Sequence, residues 1–199
     1  MPFDINNFAK NISAYGVLPT NKFDVTISMP KFLLGGTSEF DSTFPQILTF
    51  RAHSVTTPPI ALLTNDTQRF GIGPTTKQPY SAIFGNIPIS FLADRNGKIY
   101  RFMSDWFNLL YNFSETKQGS NPNSLGGYQQ PTYTTNYEDN VVSEEIIINM
   151  YDKAGNIAST INLYKAKPIL FTGVPLSWED TDNVVKINTS FTFREWSIK

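Results

Sequence analysis

Gly97-Lys98-Ile99-Tyr100-Arg101-Phe102-Met103-Ser104-Asp105-Trp106-Phe107-Asn108-Leu109-Leu110 is the stretch whose pattern settles the architecture. Ile99, Phe102, Met103, Trp106, Phe107 and Leu110 recur at steps of three and four, so on a helix they form one stripe, the core side of the element. Arg101, Ser104, Asp105 and Asn108 fall elsewhere. The spacing predicts a helix from about Gly97 to Phe113, opened by Asp94 or Asn96 accepting from its free backbone N–H groups. A single helix with an aromatic stripe needs a broad apolar surface to cover it, and among strands that surface is a sheet.

The flanking sequence supplies the strands. Upstream, Ile87, Ile89, Phe91 and Ala93 share one face of 86–93, with Pro88 pointing to an edge or a strand start. Residues 66–73 and 76–84 read as two short strands separated by Gly71, Gly73 and Pro74, and 46–57 as an extended run closing at Pro58-Pro59. From Asn21 to Ser28 the alternation is strict, with Phe23, Val25 and Ile27 against Lys22, Asp24, Thr26 and Ser28. Residues 1–20 read as an N-terminal arm, and 29–45, broken by Gly35-Gly36, as a long loop.

Downstream, 114–140 has too few aliphatic residues to form a core element, and its Tyr128, Tyr133 and Tyr137 mark it as a loop that meets a partner. Val141–Tyr151 and Ile157–Tyr164 then form a hairpin around Asp152-Lys153-Ala154-Gly155-Asn156. A short strand is expected at 176–178 and a longer one from Val184 to Ser197. The sum is one domain spanning 1–199, mainly antiparallel β in a sandwich or split barrel, with one packed α-helix. Strand 141–151 is expected at an open edge, where Glu144, Ile146, Ile148 and Met150, with the three loop tyrosines, would face a neighbouring subunit.

Composition narrows the function. The 199 residues carry a formal charge of -1, so no basic field draws phosphates or an anionic membrane. Only 17% of residues are charged, against roughly a quarter in ordinary soluble domains, while 14% are aromatic, which suits a surface largely in contact with other protein. With no cysteine there is no disulfide, thiolate nucleophile or cysteine-held metal, and no stretch approaches the roughly 20 apolar residues of a membrane span. The start of the chain lacks a basic leader, so assembly in a cytoplasm is expected.

Catalytic and ligand motifs do not assemble. His53, the sole histidine, has no carboxylate or hydroxyl partner at a motif spacing. Gly71-Ile72-Gly73 lacks the third glycine of a dinucleotide loop, with Thr76 in its place, and no βαβ unit follows. The oxygen-rich turns at 94–97 and 180–183 lack an EF-hand ligand order, and Glu144 and Glu145 point to opposite faces of a strand. No metal, cofactor or catalytic residue is expected. Trp106 belongs to the helix stripe, whereas Trp178 and Trp196 read equally as core or as contact anchors.

The order of motifs resembles the tail tube proteins of contractile-tailed phages, a family related to type VI secretion tubes. It runs through Asn21-Lys22-Phe23-Asp24-Val25-Thr26-Ile27, Phe50-Arg51-Ala52-His53-Ser54-Val55-Thr56-Thr57-Pro58, Arg69-Phe70-Gly71 and Ile87-Pro88-Ile89-Ser90-Phe91-Leu92-Ala93-Asp94. Ile99-Tyr100-Arg101-Phe102-Met103-Ser104-Asp105-Trp106 follows, then Pro175-Leu176-Ser177-Trp178 and Val185 to Trp196. The resemblance covers about two-thirds of the chain. It implies a non-enzymatic subunit, six to a ring, whose strands join into an inner barrel. Rings would stack on a baseplate, inside a sheath and under a terminator, with DNA passing through the lumen unbound. The longer 29–45 and 114–140 segments depart from the family pattern and leave a baseplate tube initiator, or a baseplate β-module that binds a partner or glycan, as the alternative.

Overall fold

The computed structural model describes residues 16–34, 40, 43–68, 71, 73–110, 141–179 and 183–199, together with Ile5, Lys10 and residues 12–14. The alternation at 21–28 becomes strand β1, Phe23–Ile27, in which Val25 and Ile27 are fully buried. It pairs antiparallel with β6, Ser143–Tyr151, which pairs in turn with β7, Ile157–Phe171. The β6–β7 turn forms as predicted, with the Asn156 N–H donating to Asp152 Oδ1 at 2.9 Å and Gly155 at φ 91, a conformation that strains any side chain. β7 runs beyond Tyr164, and its second half pairs with β8, Lys186–Thr192. Beyond β8 come β5, Ile87–Leu92, and β2, Ala52–Val55.

The expected strand over 184–197 is therefore two: after Phe193 and Arg194 the chain resumes as β9, Glu195–Ile198, which pairs with the first half of β7. Lys165, at φ 50, stands between the halves of β7. The result is a seven-stranded antiparallel sheet in the order β1-β6-β7-β8-β5-β2, with β9 on β7. β6 is thus an interior strand, paired on both sides, and the open edge expected at 141–151 is not there. Its alternation signalled burial on one face and said nothing of which strands flank it.

Three helices of the described residues pack on the core. Helix α1, Lys31–Leu34, and α2, Phe44–Arg51, precede β2, so the 29–45 stretch is not wholly loop and the extended run read at 46–57 is helical up to Arg51. Pro45 in the first turn favours helix entry, and Phe44 and Leu48, one turn apart, are both buried while Phe50 is 86% exposed. The apolar run at 47–50 looked extended because its members sit on different sides of a short helix. Helix α3, Lys98–Leu110, carries the predicted stripe: Ile99, Phe102, Met103 and Trp106 are fully buried, Phe107 and Leu110 partly so. Asp94 Oδ1 accepts from the Ile99 N–H at 3.0 Å, fixing which of the two candidates caps the helix. Ring contacts run Phe40–Phe44–Phe102–Trp106–Phe191, with centroids 4.8, 5.0, 5.5 and 5.7 Å apart, and so join α2 and α3 to β8. The indole N–H of Trp106 donates to the Val141 carbonyl at 2.7 Å, which satisfies its one polar group in the core.

A second sheet has two strands only. β3, Ile60–Thr67, and β4, Thr76–Phe84, pair antiparallel, with β3 beginning before the strand expected from residue 66. Residues 176–178 form no strand.

Candidate assembly surfaces

Every residue of β3 and β4 is exposed, including Leu62 at 61% and Tyr80 at 62%. The Thr56 N–H donates to the Pro88 carbonyl and the Gly85 N–H to the Pro59 carbonyl, so the hairpin prolongs the β2–β5 pair past the end of the large sheet. At its root a Cβ on Gly85 would lie 2.5 Å from Cγ of Pro59, a clash that only glycine avoids. Phe84 touches Phe193, with ring centroids 6.0 Å apart, but Ile60, Leu62, Tyr80 and Ile83 stand in solvent. A two-stranded hairpin in water is marginally stable on its own, and an uncovered apolar one is a surface made for contact.

The face of β1, β6, β7 and β9 turned away from the core is different in kind. Asp24, Asn149 and Thr160 lie in one row across three strands. Asn149 donates to Asp24 at 2.9 Å, Thr160 donates to Asn149 at 2.8 Å, and the Tyr151 hydroxyl donates to Asp24 at 2.5 Å. That bond to the Asp24 carboxylate, with burial, holds the Tyr151 phenol above its usual range. Alongside, the Tyr164 and Ser197 hydroxyls are 3.4 Å apart and the Asn162 amide donates to Tyr164 at 3.5 Å. These bonds, Ser197 first, hold the Tyr164 phenol below its usual range. Asn162 Oδ1 is the atom of this row left buried without a partner. Lys22, Asp24, Glu145, Glu195 and Lys199 place charge of both signs along it, so the face is polar and cross-tied.

The residues expected at a subunit interface disperse. Ile146 and Ile148 are buried in the core, Met150 is half-buried, and Glu144 lies at the surface with its carboxylate 2.8 Å from the Lys31 ammonium. Tyr128, Tyr133 and Tyr137 lie outside the described residues. Glu144 and Lys31 line a cavity of about 560 Å³ with Val142, Tyr164, Lys165, Arg194 and Glu195. Its charges are mixed, and its lining holds no histidine or serine. No cluster of three metal-ligating side chains occurs among the described residues, and His53 is exposed on β2. Of the three tryptophans, Trp106 is core, Trp196 is half-buried against it, and Trp178 is fully exposed. The sequence marks the second strand of the hairpin at 76–84, but not the start of the first or the exposure of both, because Ile60 to Leu63 is a short apolar run, which ordinarily signals burial.

The chain aligns over 96% of its length, and 96% of the other, with a chain of the sheath–tube complex of an extracellular contractile injection system (PVC) in its extended state, at a TM-score of 0.55 and 15% identity. A chain of the tube-terminating cap of the anti-feeding prophage (AFP) aligns over 92% of this chain and 91% of that one, at 0.56 and 16%. A chain of the AFP baseplate covers 92% and 95%, at 0.55 and 9%. No curated protein sequence matches the chain. The model of the phage tail tube protein family matches residues 18–199, and the chain belongs to that family. It is a structural subunit of a phage tail tube, a component of the virion tail.

Proposed function

We propose that the chain is the repeating, non-enzymatic subunit of the tube inside a contractile tail. Six copies close into a ring, and rings stack into a cylinder that a sheath surrounds, a baseplate starts and a terminator ends. The observation that carries this reading is the bare β3–β4 hairpin, because an apolar arm of this length gains its stability only from another molecule. A self-assembling subunit provides that molecule at every position. The structures of similar fold come from sheath–tube, cap and baseplate assemblies, which supports the same set of partners here.

The polar face of β1, β6, β7 and β9 is the wall of the lumen in this reading. Its donors and acceptors are largely used up among themselves, and the chain as a whole carries a formal charge of -1, so DNA meets a surface with few bonds to offer and no bulk attraction for its phosphates. The subunits are made and assembled in the host cytoplasm. Among the expected interface residues that the structure describes, Glu144 lies at the surface, where it can reach a neighbour.

Negative-stain imaging of the purified protein at high concentration tests the reading. Cylinders of stacked six-fold rings are the expected result. A monomer that persists at every concentration refutes it, and stacks that stop after one or two rings assign the chain to the baseplate as an initiator.

A further inference from the structure

Asn96-Gly97 is the one Asn-Gly pair in the sequence. It lies in the turn between β5 and α3, with Asn96 exposed. Gly97 has φ 68, a conformation that strains any residue with a Cβ, so the turn itself calls for glycine at this position. Glycine after asparagine makes the pair chemically labile, because no Cβ hinders the glycine nitrogen from reaching the side-chain carbonyl before it. The space that a Cβ on Gly97 would occupy is open, with no atom within 4 Å beyond its chain neighbours.

The turn opposes that approach. The nitrogen that would attack is engaged as a donor, its N–H bonded to the Asp94 carbonyl at 3.1 Å. The Asp94 carboxylate holds the same backbone by accepting from the Ile99 N–H at 3.0 Å, and the N–H groups of Asn96 and Lys98 face it as well. While these bonds stand, the Gly97 nitrogen keeps its proton and is held away from the Asn96 side chain. Once they open, the exposed side chain can rotate onto it.

We propose that Asn96 is a deamidation site, which the Asp94 turn keeps shut in the folded subunit and releases when the first turn of α3 opens. The reaction consumes only water. Hydroxide takes the proton of the Gly97 nitrogen, which attacks Cγ of Asn96 and closes a succinimide ring. The Cγ–Nδ2 bond breaks, and the departing nitrogen takes up protons from water and leaves as ammonia. Water then opens the ring at either carbonyl, giving aspartate or isoaspartate, with no change of oxidation state. The two products act oppositely on α3. Aspartate adds a negative charge at the N-terminus of the helix, where the dipole favours it, whereas isoaspartate inserts a methylene into the main chain between Asp94 and the N–H groups it caps.

The full-length protein, incubated at physiological temperature in mildly alkaline buffer, tests the site. Mass spectrometry of the peptide carrying residue 96 counts deamidation, and labelling by isoaspartyl methyltransferase separates the two products. Wild type should react slowly and Asp94→Ala several-fold faster, while Asp94→Asn, whose side-chain carbonyl can still cap the turn, should stay close to wild type. In wild type the rate should climb with urea and be highest in the unfolded chain, an arm that does not depend on any variant folding. Asn96→Gln should remove the isoaspartate label from this peptide. Equal rates in folded wild type, Asp94→Ala and unfolded protein would overturn the gate, and an unfolded chain that gives no product at residue 96 would overturn the site.

Discussion

Asp94 shows how one side chain sets the position of the fold's central helix. Burial alone would raise its pKa, but the backbone N–H groups of Ile99, Lys98, Asp94 and Asn96 outweigh that and hold the carboxyl below its ordinary value. A group whose folded pKa is depressed adds stability above its unfolded pKa and loses it as pH falls through the folded one. Asp94→Ala should therefore cost about 1 kcal/mol at neutral pH, read by urea denaturation, with the gap from wild type closing below pH 4. A gap that stays constant down to low pH would remove the carboxylate from the argument. Trp106 belongs to the same scale. Its indole fills the space between Phe102 and Phe191 and bonds to Val141, so Trp106→Ala should cost about 3–5 kcal/mol and leave little soluble protein.

The elements divide by how they announce themselves in sequence. α3, β1 and the β6–β7 hairpin were legible because their burial is one-sided and follows the period of the element, as Ile99, Phe102 and Trp106 or Val25 and Ile27 do. α2 was hidden: an eight-residue helix has about two turns, too few for Phe44 and Leu48 to establish a period against an apolar run. Sheet order was hidden as well, since pairing is decided between strands, and β6 became interior through β1, more than a hundred residues away. The assembly surfaces followed the same division, with the tyrosines and β6 positions chosen for their chemistry, while the hairpin and Trp178 depend on what the rest of the chain leaves uncovered. The hairpin root offers a sharp test of that element. Gly85→Ala must push against the Pro59 ring, so it should weaken stacking several-fold, measured by the concentration at which tubes appear, while the thermal midpoint of the subunit moves by only a few degrees. A large drop in that midpoint would mean the hairpin supports the core.

At the scale of the whole molecule, one sheet serves two solvents. Its inner face is a dry layer of Val25, Ile148 and Leu163, and its outer face is a mesh of Asp24, Asn149, Thr160 and Tyr151. Placing lysine at Thr160 and Ser197, on the outer face, should leave cylinders intact and slow DNA release from virions, more so at low salt than at high. Release at the wild-type rate in low salt would remove that face from the lumen. The bare hairpin has a further implication for timing. Because its apolar residues gain nothing until a second copy arrives, the earliest encounters are the costliest and every later addition finds a template ready. Such a system waits, then runs quickly once seeded, which leaves control of when a tail grows to whatever supplies the seed.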